Sequence, residues 1–207
     1  MSARQSLSQG HFQSPSQTIG PFFHYGLNPV EANYPHTQIA NHCLVSEQTQ
    51  GERLSLTGRV FDGKGVVVED ALVEIWQANA AGRYRHPNDA RSQRALDPHF
   101  QGFGRCGTGA SDDGRFVFKT IKPGPDQPGN APFISVTVFM RGLLNHVYTR
   151  VYFDDEVDAN ATDPVLSRTE AGRKVTLLAK CCNTPDGLEY TFDIHMQGEQ
   201  ETVFFDL

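Results

Sequence analysis

From residue 53 onward the chain alternates apolar and polar positions in short runs: LSLTGRVF (54–61), ALVEIWQA (71–78), GRFVFKTI (114–121), FISVTVFMR (133–141), HVYTRVYF (146–153), KVTLLAK (174–180), LEYTFDIHM (188–196) and ETVFFDL (201–207). Their content of Val, Ile, Phe and Thr and their period near two predict strands with one buried face. Turn signals such as DGKG and SDDG separate them, and no long helical period intervenes. This spacing predicts an all-β fold, an antiparallel two-sheet β-sandwich. Only DDEVDANAT (154–162) invites a helical turn, with Asp154 or Asp155 as its cap.

Upstream the pattern is different. Residues 1–15 are rich in Ser and Gln, with almost no apolar anchor, and read as a disordered terminus. Residues 16–52 hold aromatics and prolines without a sustained period, which predicts an extended N-terminal arm packing on a partner chain. Residues 53–207 then form the sandwich domain.

Composition narrows the function classes. With 207 residues, 38% of them hydrophobic, the chain can bury a substantial core. A net charge of -6 with no Lys/Arg-rich run argues against nucleic acid as a partner. No run approaches a membrane span, and the first residues lack a signal-peptide core, so a cytoplasmic protein is expected. Cys43, Cys106, Cys181 and Cys182 show no CxxC spacing and read as free thiols.

Several motifs are weak. GFGRCG (102–107) matches GxGxxG, but no helix pattern follows it, so its glycines read as a loop. The eight histidines form no HxH or HxxxH pair. The acids Asp154, Asp155, Glu156 and Asp158 suit a solvated helix start better than a calcium site. The Pro/Gly-rich PGPDQPGNAP (123–132) has no His, Tyr or Cys. It shapes backbone without supplying obvious chemistry.

The long segment AAGRYRHPNDARSQRALDPHFQGFGRCGTGASDDGRFVFKTIKPGP (80–125), with EIWQANAAGRY before it and TRVYFDDE and ETVFFDL after it, closely resembles the intradiol ring-cleavage dioxygenases. The likeness runs from about residue 16 to residue 207. It implies a β-sandwich and, in the family's catalytic chains, Fe(III) held by two tyrosines and two histidines. Here Tyr84 keeps the first tyrosine position, Asp126 stands at the second, and Phe133 and Ser135 stand at the histidine positions. Phe133 has no lone pair to donate, and Ser135 is a poor ferric ligand.

The resemblance therefore implies an alpha-type chain that binds no metal and has no catalytic residue of its own. Its partner would be a homologous beta subunit carrying Fe(III) within a large hetero-oligomer, and the substrate the small aromatic acid protocatechuate. Alpha chains of the family bring a segment like SQTIGPFF (16–23) over the partner's pocket, which marks Thr18, Gly20 and Pro21 as substrate-binding. Arg141, in VFMRGLLNH, matches an arginine near the substrate entrance. Two alternatives stand beside this: a self-sufficient dioxygenase using Tyr84, Asp126 and a distant His, and a non-catalytic sandwich that binds another molecule.

Overall fold

The computed structural model describes residue 20 and residues 23–206. A short helix α1 (Phe23–Leu27) precedes the strands β1 (Arg53–Phe61), β2 (Leu72–Trp76), β3 (Phe103–Gly107), β4 (Arg115–Ile121), β5 (Phe133–Phe139) and β6 (Val147–Phe153). Helices α2 (Val157–Thr162) and α3 (Pro164–Arg168) follow, then β7 (Leu178–Thr184), β8 (Gly187–Thr191) and β9 (Ile194–His195). The strands run in the order β3-β2-β5-β6-β7-β8-β1-β4, with β9 pairing β1. Strand β7 joins the two halves: Leu178 and Ala179 pair with β6, and Lys180 onward pairs with β8.

The expected sandwich and most of its strands are found, but the sheet is mixed and not purely antiparallel. Pairs β1–β8, β1–β9 and β6–β7 are parallel. A parallel neighbour needs a crossover of a dozen residues or more. The segment between Phe153 and Leu178, which carries α2 and α3, is long enough to supply it for β6 and β7.

The alternation read from sequence decides what is buried. Leu54, Leu56 and Val60 of β1, Val73 and Ile75 of β2, Phe116 and Phe118 of β4, and Ile134, Val136 and Val138 of β5 meet in one core. A smaller cluster of Ala131, Phe133, Tyr152, Leu166 and Leu177 lies at the start of β5, with Val203 and Phe205 packed against it.

Four local readings change. Residues 103–107 form β3, not a loop, because Gly104 lets residues 41–44 cross the strand: a Cβ there would stand 2.5 Å from Leu44 Cδ1 and 3.2 Å from the Asn41 carbonyl. Leu44 is buried in the core, and its N–H donates to the Lys119 carbonyl. Residues 174–177 are a 3₁₀ turn, so β7 starts four residues later than the pattern suggested. The C-terminal run 201–207 pairs only through a bridge between Phe205 and Tyr148 among the described residues. The side-chain cap after β6 is Asp163, at the start of α3, and neither Asp154 nor Asp155.

Candidate functional site

The Pro/Gly-rich loop is clamped against the loop that carries Tyr84. The Gly124 N–H donates to the Asn79 carbonyl at 2.9 Å, and a Cβ on Gly124 would stand 2.3 Å from the Ala80 carbonyl oxygen. The Asn79 side chain shapes its own loop, accepting from the N–H groups of Ala81 and Arg83 and donating to the Ala95 carbonyl. Arg94 reaches both loops, donating to the carbonyls of Gly82 and Pro125. Arg91 donates to the Asp126 carbonyl and pairs with the Asp89 carboxylate at 2.5 Å. The missing Cβ at Gly124 thus lets the two loops meet, and arginine donors hold the seam.

Tyr84 consequently sits beside Asp126. Its ring stacks on Trp76 with centroids 5.7 Å apart and planes 10° from parallel, and the Arg91 guanidinium lies 5.5 Å from its centre. Burial pushes the Tyr84 phenol up to about 12, the Asp126 carboxylate adds to that, and Arg150 and Arg91 oppose it. Trp76, Tyr84, His86, Arg91 and Phe103 line an open recess of about 650 Å³ outside this seam.

The two histidine positions of the family pattern lie on one face of β5. Phe133 is only 6% exposed and belongs to the smaller apolar cluster, its ring centre 5.9 Å from that of Tyr152. Ser135 stands opposite Arg150 of β6. The Arg150 guanidinium lies 4.2 Å from the centre of the Phe133 ring, and it donates to the Tyr152 hydroxyl at 3.3 Å. These four positions do not fit ferric iron: one holds a buried hydrocarbon ring, and the Asp126 carboxylate is already engaged by the Asn130 amide at 2.8 Å. No group of three or more His, Cys, Asp or Glu that could hold a metal occurs among the described residues. Sequence reasoning missed Arg150, Arg91 and Arg94. For Arg150 the available signal was a charge at an outward position of an otherwise apolar strand.

The expected substrate-binding residues divide. Thr18 and Pro21 lie outside the described residues. The Gly20 carbonyl accepts from the Phe23 N–H at 3.1 Å, and the Phe23 ring packs 5.7 Å from that of Phe139 at the end of β5. Arg141 follows two residues later, 63% exposed in its side chain and paired with Asp70. The acids after β6 are also accounted for: the Lys122 ammonium sits 2.7 Å from Asp155 and 2.9 Å from Glu156. Burial would lower the Lys122 pKa, but hydrogen bonding with Asp155, Tyr190 and Glu156 outweighs it and raises the value. No helix among the described residues is long and apolar enough to cross a membrane.

Residues 20–198 match the family described as Dioxygenase. The chain is 46% identical over 196 residues to the protocatechuate 3,4-dioxygenase alpha chain of Burkholderia cepacia, covering 94% of this chain and 98% of that one. It is 40% identical over 174 residues to the protocatechuate 3,4-dioxygenase beta chain of Burkholderia cepacia, covering 79% of this chain and 72% of the beta chain. Among solved structures, the dioxygenase domain of a dioxygenase carbohydrate-binding protein fusion from Streptomyces sp. SirexAA-E aligns with a TM-score of 0.58 at 26% identity, covering 91% of this chain and 98% of that one. Intradiol dioxygenases are iron enzymes, so the replaced donor set found here is a departure within the family and not a different architecture. By motif, fold and identity across nearly its whole length, the chain belongs to the intradiol ring-cleavage dioxygenase family.

Proposed function

We propose that this chain is the iron-free alpha subunit of a protocatechuate 3,4-dioxygenase. A homologous beta subunit holds Fe(III), and the assembled enzyme inserts O₂ between the hydroxyl-bearing carbons of 3,4-dihydroxybenzoate to give 3-carboxy-cis,cis-muconate. The observation that carries this reading is the filling of a ligand position by Phe133, buried in an apolar cluster with a guanidinium against its ring. Relatives named as alpha and beta chains of one enzyme support the pairing. The four cysteines are all free thiols, which suits a reducing cytoplasm.

In this reading residues 16–52 form the arm that reaches the partner, and residues 53–207 form the domain behind it. Thr18 offers a hydroxyl, and Gly20-Pro21 lets the backbone approach the beta chain's pocket closely at a fixed φ. Arg141 attracts the substrate carboxylate. Its present partner does not prevent this, because an exposed pair such as Arg141–Asp70 is worth only about 0–1 kcal/mol. A charge-assisted hydrogen bond to the carboxylate is worth about 1.5–3 kcal/mol.

The test is co-expression with the beta chain, followed by kinetics of Arg141→Ala in the assembled enzyme. KM is expected to rise about tenfold, the equivalent of one such hydrogen bond, with kcat changed less. Unchanged KM would remove Arg141 from substrate capture, and failure of the two chains to associate would defeat the subunit reading.

A further inference from the structure

The four positions that hold iron in the family's catalytic chains surround a side chain that no motif indicated. Arg150 lies directly across the β5–β6 pair from Ser135, so its side chain leaves the sheet on the same face as those of Ser135 and Phe133. Its guanidinium rests 4.2 Å from the centre of the Phe133 ring and 5.9 Å from that of Phe205. It also acts electrostatically on the Tyr84 phenol, which Asp126 flanks. Phe133 is therefore in contact with this cation, Ser135 is paired with it across the sheet, and Tyr84 lies within reach of its field, with Asp126 beside Tyr84.

No carboxylate lies within ion-pair distance of Arg150 among the described residues, and whereas Arg53, Arg83, Arg85 and Arg94, which also lack one, donate to backbone carbonyls, Arg150 rests on aromatic rings. A half-buried arginine held by π faces and one phenol hydroxyl is unusual for a role in tying surface elements together. Guanidinium is weakly hydrated and flat, which suits it to a site walled by rings, where an ammonium would lose more hydration.

Given the reading of this chain as iron-free, we propose that Arg150 is a built-in cation that supplies the positive charge of the absent metal and keeps the pocket closed to one. Loss of the ligands is then only half of the change. The site has been refilled with a fixed cation, so restoring the ligands alone does not restore metal binding.

The experiment uses the full chain with three substitutions, Asp126→Tyr, Phe133→His and Ser135→His, in two backgrounds: native Arg150 and Arg150→Met. Ferric iron is supplied as the citrate complex, and bound iron and tyrosinate-to-iron absorption are measured. With Arg150 present, apparent iron affinity is expected to be about ten- to a hundredfold weaker than in the Arg150→Met background, as like charges a few ångströms apart in a partly buried site require. Equal uptake and equal colour in both backgrounds would overturn the proposal while leaving the iron-free reading intact. Stoichiometric iron on the unsubstituted chain would overturn both.

A second comparison applies if the triply substituted chains do not fold. In the otherwise native chain, Arg150→Met is expected to lower the thermal midpoint, with Arg150→Lys recovering part of the loss because it keeps the charge while losing more hydration. Equal midpoints for the Arg150→Met and Arg150→Lys variants would overturn the claim that charge is what Arg150 contributes.

Discussion

Asp163 is the most exacting point in the framework behind the altered iron loop. Its carboxylate is fully buried and accepts four hydrogen bonds: from the Ala131 N–H at 3.0 Å, the Val165 N–H at 2.9 Å, the Leu166 N–H at 3.0 Å and the Tyr152 hydroxyl at 3.2 Å. It caps α3 and at the same time fixes the backbone two residues before β5 begins at Phe133. Asp163→Ala leaves the buried Ala131 N–H without an acceptor, at about 1–3 kcal/mol, and removes the α3 cap that Val165 and Leu166 donate to, worth about 0.5–2 kcal/mol. The expected cost is about 2–5 kcal/mol. Asp163→Asn retains one oxygen for α3 but turns a donor toward either Ala131 or the helix, so about 1–3 kcal/mol is expected. Urea unfolding of the isolated chain, followed by fluorescence of its one tryptophan, Trp76, reads both values from the midpoint at constant slope. A loss below about 1 kcal/mol for the alanine variant, or equal losses for the two variants, would refute the assignment of a shared acceptor.

Two further outcomes follow from the buried and paired groups. Burial pushes the Cys106 thiol up to about 12, whereas Cys43 and Cys182 are exposed and Cys181 is half-buried; a thiol reagent at about pH 8 is expected to modify the other three and spare Cys106 until the chain unfolds, and rapid modification of Cys106 in the native chain would contradict its burial. The Asp89 carboxyl is held well below the usual range, chiefly by the Arg91 guanidinium and then by the backbone N–H groups of Tyr84 and Arg91. A depressed carboxyl contributes stability that is present above its unfolded pKa of about 3.9 and is lost as pH falls toward the folded value. The native chain's advantage over Asp89→Asn is therefore expected to be full at about pH 7 and to shrink below about pH 4; an advantage independent of pH would show that the carboxylate charge is not what stabilises the seam.

Much of the sandwich was legible because its buried positions are large and alternate. Leu54 and Leu56 in β1, Val73 and Ile75 in β2, and Val136 and Val138 in β5 mark one face each. Strand β3 escaped the same reading because two of its buried positions are Gly104 and Gly107, which carry no hydrophobic side chain to count. The parallel pairings depend on how the chain crosses between layers, which local periodicity does not encode. For the site, the motif identified Tyr84, Asp126, Phe133 and Ser135 one position at a time. Arg150 was hidden because a charge on the outward face of a strand normally meets water, and only the packing of Phe133 and Phe205 turns that face into an enclosed one.

In the proposed assembly this chain lends structure and surface to an iron site on its partner. Iron content and visible absorption of the chain purified alone, and then of the complex formed with its beta chain, test this most directly. The chain alone is expected to be colourless and iron-free, with iron and tyrosinate-to-iron colour present only in the complex. A coloured, stoichiometrically iron-loaded chain without its partner would contradict it.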